Sequence, residues 1–286
     1  MDIIEHNRQA WDRESREGSP WCKPVGPEAI EAARRGSWSV ILTPNKPVPA
    51  AWFGSVSGMR ILCLASGGGQ QAPLLAAAGA RVTSFDLSAE QLAKDREVAE
   101  REGLELNCIQ GDMAELAQLA PESFDLVFHP VSNVFVPDVN PVWRECYRVL
   151  VPGGALLAGF MNPSLFLFDH AEAEQTGSLV VRHALPYREP ESLDDSGRAQ
   201  WRESGRPAEF SHSLGAQIGG QLDAGFLLGG LYEDSWSDEA TIFNRFSPLA
   251  IATRSIKPGN QGDNKQRQTK GTEVINPPVP SGAPEA

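Results

Sequence analysis

Short apolar runs alternate with helical segments five times between Met59 and Pro163. The predicted strands cover residues 60–65, 81–85, 105–110, 124–129 and 155–160. The predicted helices between them cover Gln71–Ala78, Ser88 to Gly103, Ala114–Leu119 and Asn140–Leu150. Repeated strand-then-helix units imply a parallel sheet with right-handed crossovers, so this alternation predicts an α/β fold.

Outside this alternation, the sequence predicts an insertion and the elements that complete the main domain. Residues 162–210 are polar and contain several prolines, and we interpret them as an insertion over the carboxyl edge of the sheet. A helix at Ser213–Ala224 and strands at Phe226–Glu233 and Ser247–Ser255 then complete the main domain, residues 51–256.

The two ends of the chain have distinct compositions. Residues 1–50 carry Trp11, Trp21 and Trp38, and they predict either a plain structural wrap or a lid that excludes water from a ligand. Residues 257–286 contain no aromatic residue and many Pro, Gly, Asn and Gln residues. Such a composition buries too little apolar surface to offset the entropy of ordering, so this tail is predicted to be disordered.

A glycine turn, Gly67-Gly68-Gly69, separates the first predicted strand from its helix, and the second strand ends at Asp86. Glycine permits a sharp turn and a close approach of the backbone to a ligand. An ionised carboxylate accepts hydrogen bonds from both hydroxyls of a ribose. Strand, turn, helix and acidic tip in this order predict a site for an adenosine-containing cofactor.

Two further strand tips carry polar side chains. Gly111-Asp112-Met113 follows the third strand, and His129-Pro130-Val131-Ser132 ends the fourth. An Arg148-Val149-Leu150-x-Pro152-Gly153-Gly154 turn precedes the fifth strand. Because the carboxyl ends of parallel strands share one edge of a sheet, these groups are expected near the glycine turn.

From Leu62 through Gly159, and in its last helix and two strands, the chain resembles class I S-adenosylmethionine-dependent methyltransferases of the small-molecule, methyltransferase type 11-like branch. The resemblance implies a Rossmann-like, seven-stranded, mostly parallel sheet with helices on both faces and an antiparallel last strand. It implies S-adenosyl-L-methionine as the cofactor and methyl transfer to a small-molecule acceptor. The cofactor-binding residues that it implies are Ala65, Ser66, Gly67, Gly69, Gln70, Gln71, Asp86, Leu87, Asp112, Met113 and His129.

Two positions depart from the family's first motif. Cys63 stands where the family has an acidic residue, and Ala65 stands where it has its first glycine. The way in which the methionine end of the cofactor is held therefore stays open. Neutral hydrogen bonds from Ser66, Gln70 or Gln71 are the predicted substitutes.

His129 is the predicted general base. A sulfonium already activates its methyl group, so the protein chiefly positions a nucleophile, and a hydroxyl or amine nucleophile also has to lose a proton. We expect the imidazole of His129 to emerge where the sheet meets the pocket. The structural alternative is a histidine that only hydrogen-bonds the backbone.

The composition of the chain limits which classes of binding partner are expected. The formal net charge is −12, which argues against a nucleic-acid partner. The four cysteines and five histidines are dispersed, so no metal site is predicted. No apolar stretch is long enough to span a bilayer, and no basic-then-apolar segment opens the chain, so we expect a cytoplasmic protein without membrane contact.

Two other functions fit part of the pattern. Gly67-Gly68-Gly69-Gln70-Gln71-Ala72 also satisfies the dinucleotide motif of nicotinamide-dependent oxidoreductases, although no Tyr-x-x-x-Lys or comparable hydride-transfer site is found. Cys63 and Ala65 are the hints of a non-catalytic module that binds a cofactor or a partner. The oligomeric state is not encoded in any of these patterns.

Overall fold

A seven-stranded sheet forms the centre of the protein in a computed structural model, which describes residues 2–237 and 239–259. The strands are β1 Arg60–Leu64, β2 Arg81–Asp86, β3 Leu106–Gln110, β4 Phe124–His129, β5 Leu150–Met161, β6 Leu227–Asp234 and β7 Ala250–Ile256. Their order is β3-β2-β1-β4-β5-β7-β6, and β7 runs antiparallel to both neighbours while β1 to β5 pair in parallel. The predicted fold class is confirmed.

Helices flank this sheet. They are α1 Ile3–Glu17, α2 Pro27–Arg34, α3 Gln71–Ala77, α4 Ala89–Glu102, α5 Asn140–Val149, α6 His170–Thr176, α7 Asp195–Ser204 and α8 Gly220–Asp223. The start of α4 is set by Ser88, whose Oγ accepts a hydrogen bond from the Gln91 amide at 3.1 Å. Gly103, with φ of +64°, ends the same helix. These two residues set where α4 begins and ends, so the helix starts directly after the tip of β2.

The helix predicted over Ala114–Leu119 is absent, and this part of the sequence prediction is wrong. Side chains of α5 bind the backbone that a helix would have used. Glu145 accepts a hydrogen bond from the Leu116 amide, and Arg148 donates to the carbonyl groups of Leu116 and Leu119. With its polar groups satisfied in this way, the segment stays a series of turns.

The segment predicted as a helix over Ser213–Ala224 is helical from residue 214 to residue 223, with a π-helical turn in its first half. A π-helical turn at Gly215–Gly219 precedes α8. A Cβ on Gly220 would lie 2.8 Å from Trp143 Cδ1, and the Trp143 indole N–H donates to the carbonyl of Ala216 at 3.0 Å. Close packing on Trp143 therefore determines the path of this segment.

Alternate residues of β1 point into two separate apolar layers. Leu62 and Leu64 pack with α5, whereas Ile61 and Cys63 pack with α3 and the segment around Leu42. Cys63 is fully buried in that second layer, and burial raises the pKa of its thiol well above the ordinary value. It therefore lies inside the core.

The N-terminal helix is tied to the insertion by Asn7. Its side chain accepts a hydrogen bond from the Ala208 amide at 2.7 Å and donates to the carbonyl groups of Ala208 and Phe135. Residues 1–50 and 162–210 thus meet over the carboxyl edge of the sheet. The predicted tail, residues 257–286, lies outside the described residues from position 260 onward.

Candidate active site

A cavity of about 740 Å³ lies at the carboxyl ends of the parallel strands. The tips of β1, β2 and β3 line one end of it, with Ala65, Ser66, Gly67, Asp86, Leu87, Asp112 and Met113. The segments after β4 and β5, together with the insertion and the chain near residue 240, line the other end. This volume is within the range of roughly 300–1,000 Å³ found for small-molecule sites.

The glycine turn is held by α4 from behind. The amide of Gly69 donates to Asp95 Oδ1 at 2.7 Å, and the amide of Gly68 donates to the carbonyl of Gln91 at 3.0 Å. Gly69 has φ of +75°, and a Cβ there would lie 2.9 Å from Pro24 Cβ. Glycine is thus required by the close approach of other protein segments as well as by the turn itself.

Ala65 adopts a left-handed conformation with φ of +48°. A residue with a side chain costs roughly 1 kcal/mol or more in this region, whereas glycine adopts it freely. The departure of Ala65 from the family's glycine is therefore accommodated by strain at the end of β1. Its amide donates to the carbonyl of Phe85 at 2.7 Å, which helps to hold that conformation.

Asp86 faces the cavity from the tip of β2. Its Oδ2 accepts a hydrogen bond from the Gly67 amide at 3.0 Å, and its Oδ1 accepts one from the Ser88 amide at 2.9 Å. Burial raises the pKa of Asp86 to about 6, and the backbone N–H groups of Ser88 and Gly67 partly oppose that increase. Asp86 is therefore ionised at neutral pH and still able to accept further hydrogen bonds.

Asp112 and Met113 lie at the tip of β3, on the same end of the cavity as Asp86. Asp112 Oδ1 accepts a hydrogen bond from the Ala114 amide at 2.9 Å, which orients the carboxylate. Met113 is 8% exposed and packs in the apolar layer beneath. The two residues thus present one polar and one apolar surface side by side.

Of the three predicted polar substitutes near the turn, Ser66 is the one whose polar group is fully buried without a hydrogen-bond partner in the described part of the chain. Gln70 donates to the carbonyl groups of Pro20 and Lys23, both at 3.2 Å, and Gln71 Oε1 accepts from the Ile41 amide at 3.2 Å. Ser66 Oγ is buried at the cavity wall and has no hydrogen-bond partner among the described residues.

An unsatisfied hydroxyl beside an ionised carboxylate fits a polar ligand. Gln91 Oε1 is a second buried oxygen on the wall without a hydrogen-bond partner in the described part of the chain. Buried polar groups of this kind are satisfied when a ligand occupies the cavity. The residues present therefore fit a cofactor that carries a ribose and a polar amino-acid end.

The expectation that His129 emerges into the pocket is wrong. Its side chain is fully buried beneath the cavity floor and is not part of the lining, which passes from Pro130 to Ser132. The Nδ1–H donates to the carbonyl of Leu64 at 3.0 Å, and the ring packs edge-on against Trp143. Burial lowers the pKa of His129 to about 4, so the imidazole is neutral. The geometry gives it the backbone-binding role.

The N-terminal segment forms the roof of the cavity. Ile4, Asn7 and Trp11 of α1 line it, as do Pro20 and Trp21 of the following turn. The same turn contacts the glycine turn, since the Val25 amide donates to the carbonyl of Gly69 at 2.8 Å. Trp38, by contrast, packs against Phe53 in the core layer below α3 and is not in the lining.

The far end of the cavity is mainly apolar and aromatic. Its lining includes Met161, Leu165, Phe166, Trp236, Phe243 and Leu249. The polar side chains that join them are His170, Glu174, Glu209 and Thr241. An apolar compartment of this kind, continuous with the strand tips, has room for a second small molecule.

Three polar residues of the site were missed from the sequence: Gln91, Asp95 and Glu209. Asp95 is fully buried, and its Oδ2 accepts a hydrogen bond from Ser84 Oγ at 2.6 Å. It lies three residues from both Leu92 and Val98, on the buried face of α4. That spacing is the signal by which Asp95 is recognisable, because helix positions three apart share a face.

Comparisons with known proteins agree on one family. A family model described as a methyltransferase domain matches residues 62–158. An uncharacterised methyltransferase of Bacillus subtilis, YbaJ, is 47% identical over 255 residues, which is 89% of this chain and 98% of that protein. The chain belongs to the class I S-adenosylmethionine-dependent methyltransferases. The cofactor of this methyltransferase is S-adenosyl-L-methionine.

More distant proteins match the methyltransferase over shorter or less similar stretches. A ubiquinone biosynthesis O-methyltransferase of Bordetella pertussis is 32% identical over 161 residues, covering 53% of this chain and 67% of that protein. A crystal structure of an S-adenosylmethionine-dependent methyltransferase from Mesorhizobium loti has a TM-score of 0.55 and 20% identity. It covers 72% of this chain and 94% of its own, and it shares the fold.

Family membership selects methyl transfer over the oxidoreductase and the non-catalytic alternatives. In the described ranges, 2–237 and 239–259, His, Cys, Asp and Glu side chains form no group of three that would hold a metal ion. Every helix in those ranges is too short or too polar to cross a lipid bilayer.

Proposed function

We propose that this methyltransferase acts on a small-molecule acceptor that is largely apolar and about as large as one aromatic ring. The observation that carries the proposal is the cavity itself, which runs from the cofactor-facing strand tips to an aromatic compartment under a roof. A compartment of about 740 Å³ under this roof has room for a small molecule but not for a folded protein or a duplex. The net charge of −12 also disfavours a nucleic-acid substrate.

In this proposal each cofactor-facing residue has its own task. Asp86 accepts hydrogen bonds from the ribose hydroxyls, and Asp112 and Met113 bind the adenine by one polar and one apolar contact. Ser66 and Gln91 supply neutral hydrogen bonds to the methionine end, where Cys63 is too deeply buried to take part. The bound cofactor supplies a methyl group that its sulfonium already activates.

We further propose that residues 1–50 act as a lid over this site. Supporting the proposal, Trp11 and Trp21 line the cavity and the segment from Pro20 to Val25 contacts the glycine turn. A roof of aromatic residues excludes water from the reacting groups and aligns the acceptor behind the methyl group. The domain limits 51–256 and the tail from 257 remain predictions.

The cofactor sites are tested by isothermal titration calorimetry with S-adenosylmethionine, S-adenosylhomocysteine and NADH. We expect binding of the first two and none of the third. Asp86→Ala removes a charge-assisted contact of about 2–3 kcal/mol, so affinity should fall roughly 30- to 150-fold. The control is Glu105→Ala, an exposed carboxylate outside the cavity.

Protonation gives a second check on Asp86. Because its pKa is raised to about 6, wild-type affinity for S-adenosylhomocysteine should fall as the pH drops below 6, and Asp86→Ala should lack that dependence. An Asp86→Ala protein that binds within threefold of wild type would contradict the ribose assignment.

The acceptor class is tested with cofactor that carries a tritiated methyl group. The enzyme is incubated with a cell extract separated into small-molecule, protein and nucleic-acid fractions. We expect label in the small-molecule fraction, dependent on Asp86. Label confined to protein or nucleic acid would refute a small acceptor.

A further inference from the structure

Glu209 places a carboxylate in the cavity wall beside the tip of β4. Its neighbours are fixed on both sides, because the Phe210 amide donates to the carbonyl of Val134 at 2.7 Å and the Ala208 amide donates to Asn7. Val134 lies in the short turn that follows the β4 tip. Since the segment after β4 lines the aromatic end of the cavity, Glu209 belongs to that end.

The backbone of Glu209 is also rigidly held. Its amide donates to Glu189 Oε2 at 3.1 Å, and its carbonyl accepts from the Glu189 amide at 3.1 Å. Two hydrogen bonds to one buried residue leave little freedom to rotate this segment away from the cavity. The backbone from which the Glu209 side chain extends is therefore fixed at the wall.

The nearest cation is already engaged by another acid. Arg206 forms an ion pair with Glu189, whose side chain is 2% exposed, and its Nη1 lies 2.9 Å from Glu189 Oε2. The Tyr187 hydroxyl also donates to Glu189 at 2.7 Å. Within the described residues, no group donates a hydrogen bond to the Glu209 carboxylate, so its oxygens remain available to a ligand.

Burial and the neighbouring charges together set the pKa of the Glu209 carboxyl. The titratable and charged groups that face it are Glu189, Arg206 and Tyr187. Burial and the charge of Glu189 raise the pKa of Glu209 to about 7, against the opposing effect of Arg206. A carboxylate in this setting gains free energy by accepting a hydrogen bond and loses it beside another anion.

We infer that Glu209 is the acceptor-binding residue of this enzyme, and that it recognises a hydroxyl or amine hydrogen on an otherwise apolar, ring-bearing acceptor. The inference rests on the proposed function, since it assigns the acceptor to the aromatic end of the same cavity. In its ionised form Glu209 disfavours acceptors whose polar group near the β4 tip is a carboxylate or a phosphate.

Glu174 is the matched control on the same cavity. It lines the wall as Glu209 does, but its carboxylate already accepts a hydrogen bond from Thr241 Oγ1. Glu174→Gln and Glu209→Gln make the same chemical change. The first changes a carboxylate that already accepts a hydrogen bond from the protein, and the second changes one that does not.

The test uses three probes of similar size: 2-phenylethylamine, 2-phenylethanol and 3-phenylpropionate. Each is titrated by calorimetry into enzyme saturated with S-adenosylhomocysteine. We expect the amine and the alcohol to bind wild type and Glu174→Gln about tenfold or more tightly than the carboxylate does. Glu209→Gln should lose that preference while its affinity for S-adenosylhomocysteine stays within threefold.

Absence of a preference for the donor-bearing probes, or an unchanged preference in Glu209→Gln, would overturn the inference. Loss of S-adenosylhomocysteine binding by the wild-type protein would instead overturn the proposed function, so the two failures are distinguishable. A second measurement needs no variant: carbon-detected NMR of labelled glutamate in the wild-type protein. The Glu209 carboxyl should titrate near 7, and titration at its ordinary value of 4.5 would refute a carboxylate that is shielded from water in the cavity wall.

Discussion

Replacing Asp95 by asparagine should make the protein more stable at neutral and alkaline pH. Asp95 is fully buried and accepts hydrogen bonds from the Gly69 amide and the Ser84 hydroxyl. Asparagine can keep both contacts, because its oxygen accepts from Gly69 and its NH₂ group donates to Ser84. What the substitution removes is the buried negative charge.

The magnitude follows from the pKa. Burial raises the pKa of Asp95 from 3.8 to about 7, although the bonds from Ser84 and Gly69 oppose the increase. The folded protein therefore binds a proton more tightly than the unfolded chain, and its stability falls as the pH rises from about 4 to about 7. The full loss is on the order of 4 kcal/mol, since each unit of pKa corresponds to about 1.4 kcal/mol.

The assay is urea unfolding of wild type and Asp95→Asn at pH 5 and pH 8. The free energy of unfolding of the variant relative to wild type should increase by about 3 kcal/mol between these two values. His129 titrates in both proteins, so its contribution cancels in the difference. The charge of Asp86 helps to raise the pKa of Asp95, so part of the expected increase is the loss of that repulsion. Glu97→Gln, which removes an exposed acid on the same helix, is the control and should lack this increase of about 3 kcal/mol.

A constant difference between Asp95→Asn and wild type at both pH values would refute the reasoning. It would mean that the Asp95 carboxyl is equally solvated in the folded and unfolded chains. Affinity for S-adenosylhomocysteine should stay close to wild type in Asp95→Asn, because the glycine turn keeps its anchor. Asp95→Ala removes that anchor and should weaken binding.

Two further predictions concern His129 and the tryptophans. His129→Ala should lower the free energy of unfolding by about 1–3 kcal/mol, because the carbonyl of Leu64 loses its donor. Calorimetry should show S-adenosylhomocysteine affinity within threefold of wild type, and a selective loss of affinity would return His129 to the site. Adding S-adenosylhomocysteine should change the tryptophan fluorescence of wild type and of Trp38→Phe. Trp236 also lines the cavity, so the comparison uses a Trp236→Phe background, in which the change should be much smaller when Trp11 and Trp21 are both replaced by phenylalanine. A full response in that triple variant would contradict the roof as a lid.

The sheet was predictable because its signals are local. Each parallel strand is a short apolar run bounded by a turn residue, so β2 and β4 were located to within one residue. Asp86 was predictable for the same reason, as an acid directly at a strand end. These features depend on residues adjacent in sequence, which a pattern can represent.

The errors arose where distant side chains decide the outcome. The residues 114–119 have helical spacing, but Glu145 and Arg148 bind their backbone groups. His129 ends a strand that is covered on both faces, and its pairing with Ala158 keeps it inside the sheet. Asp95 has the spacing of a buried helix position, but it stands between Lys94 and Arg96, whose charges are typical of a solvated helix surface.

The bond between Asn7 and Ala208 joins residues 201 positions apart in the chain. Contacts of such long range form late, because closing a long loop costs entropy before any contact stabilises it. The strand tips can therefore assemble from residues 60–161 before this bond forms. Helix α1 already meets α4 in that stage, because Ser88 Oγ donates to Asp12 Oδ1 at 2.6 Å. The bond to Ala208 is thus expected to close the insertion over strand tips and an N-terminal helix that are already in place.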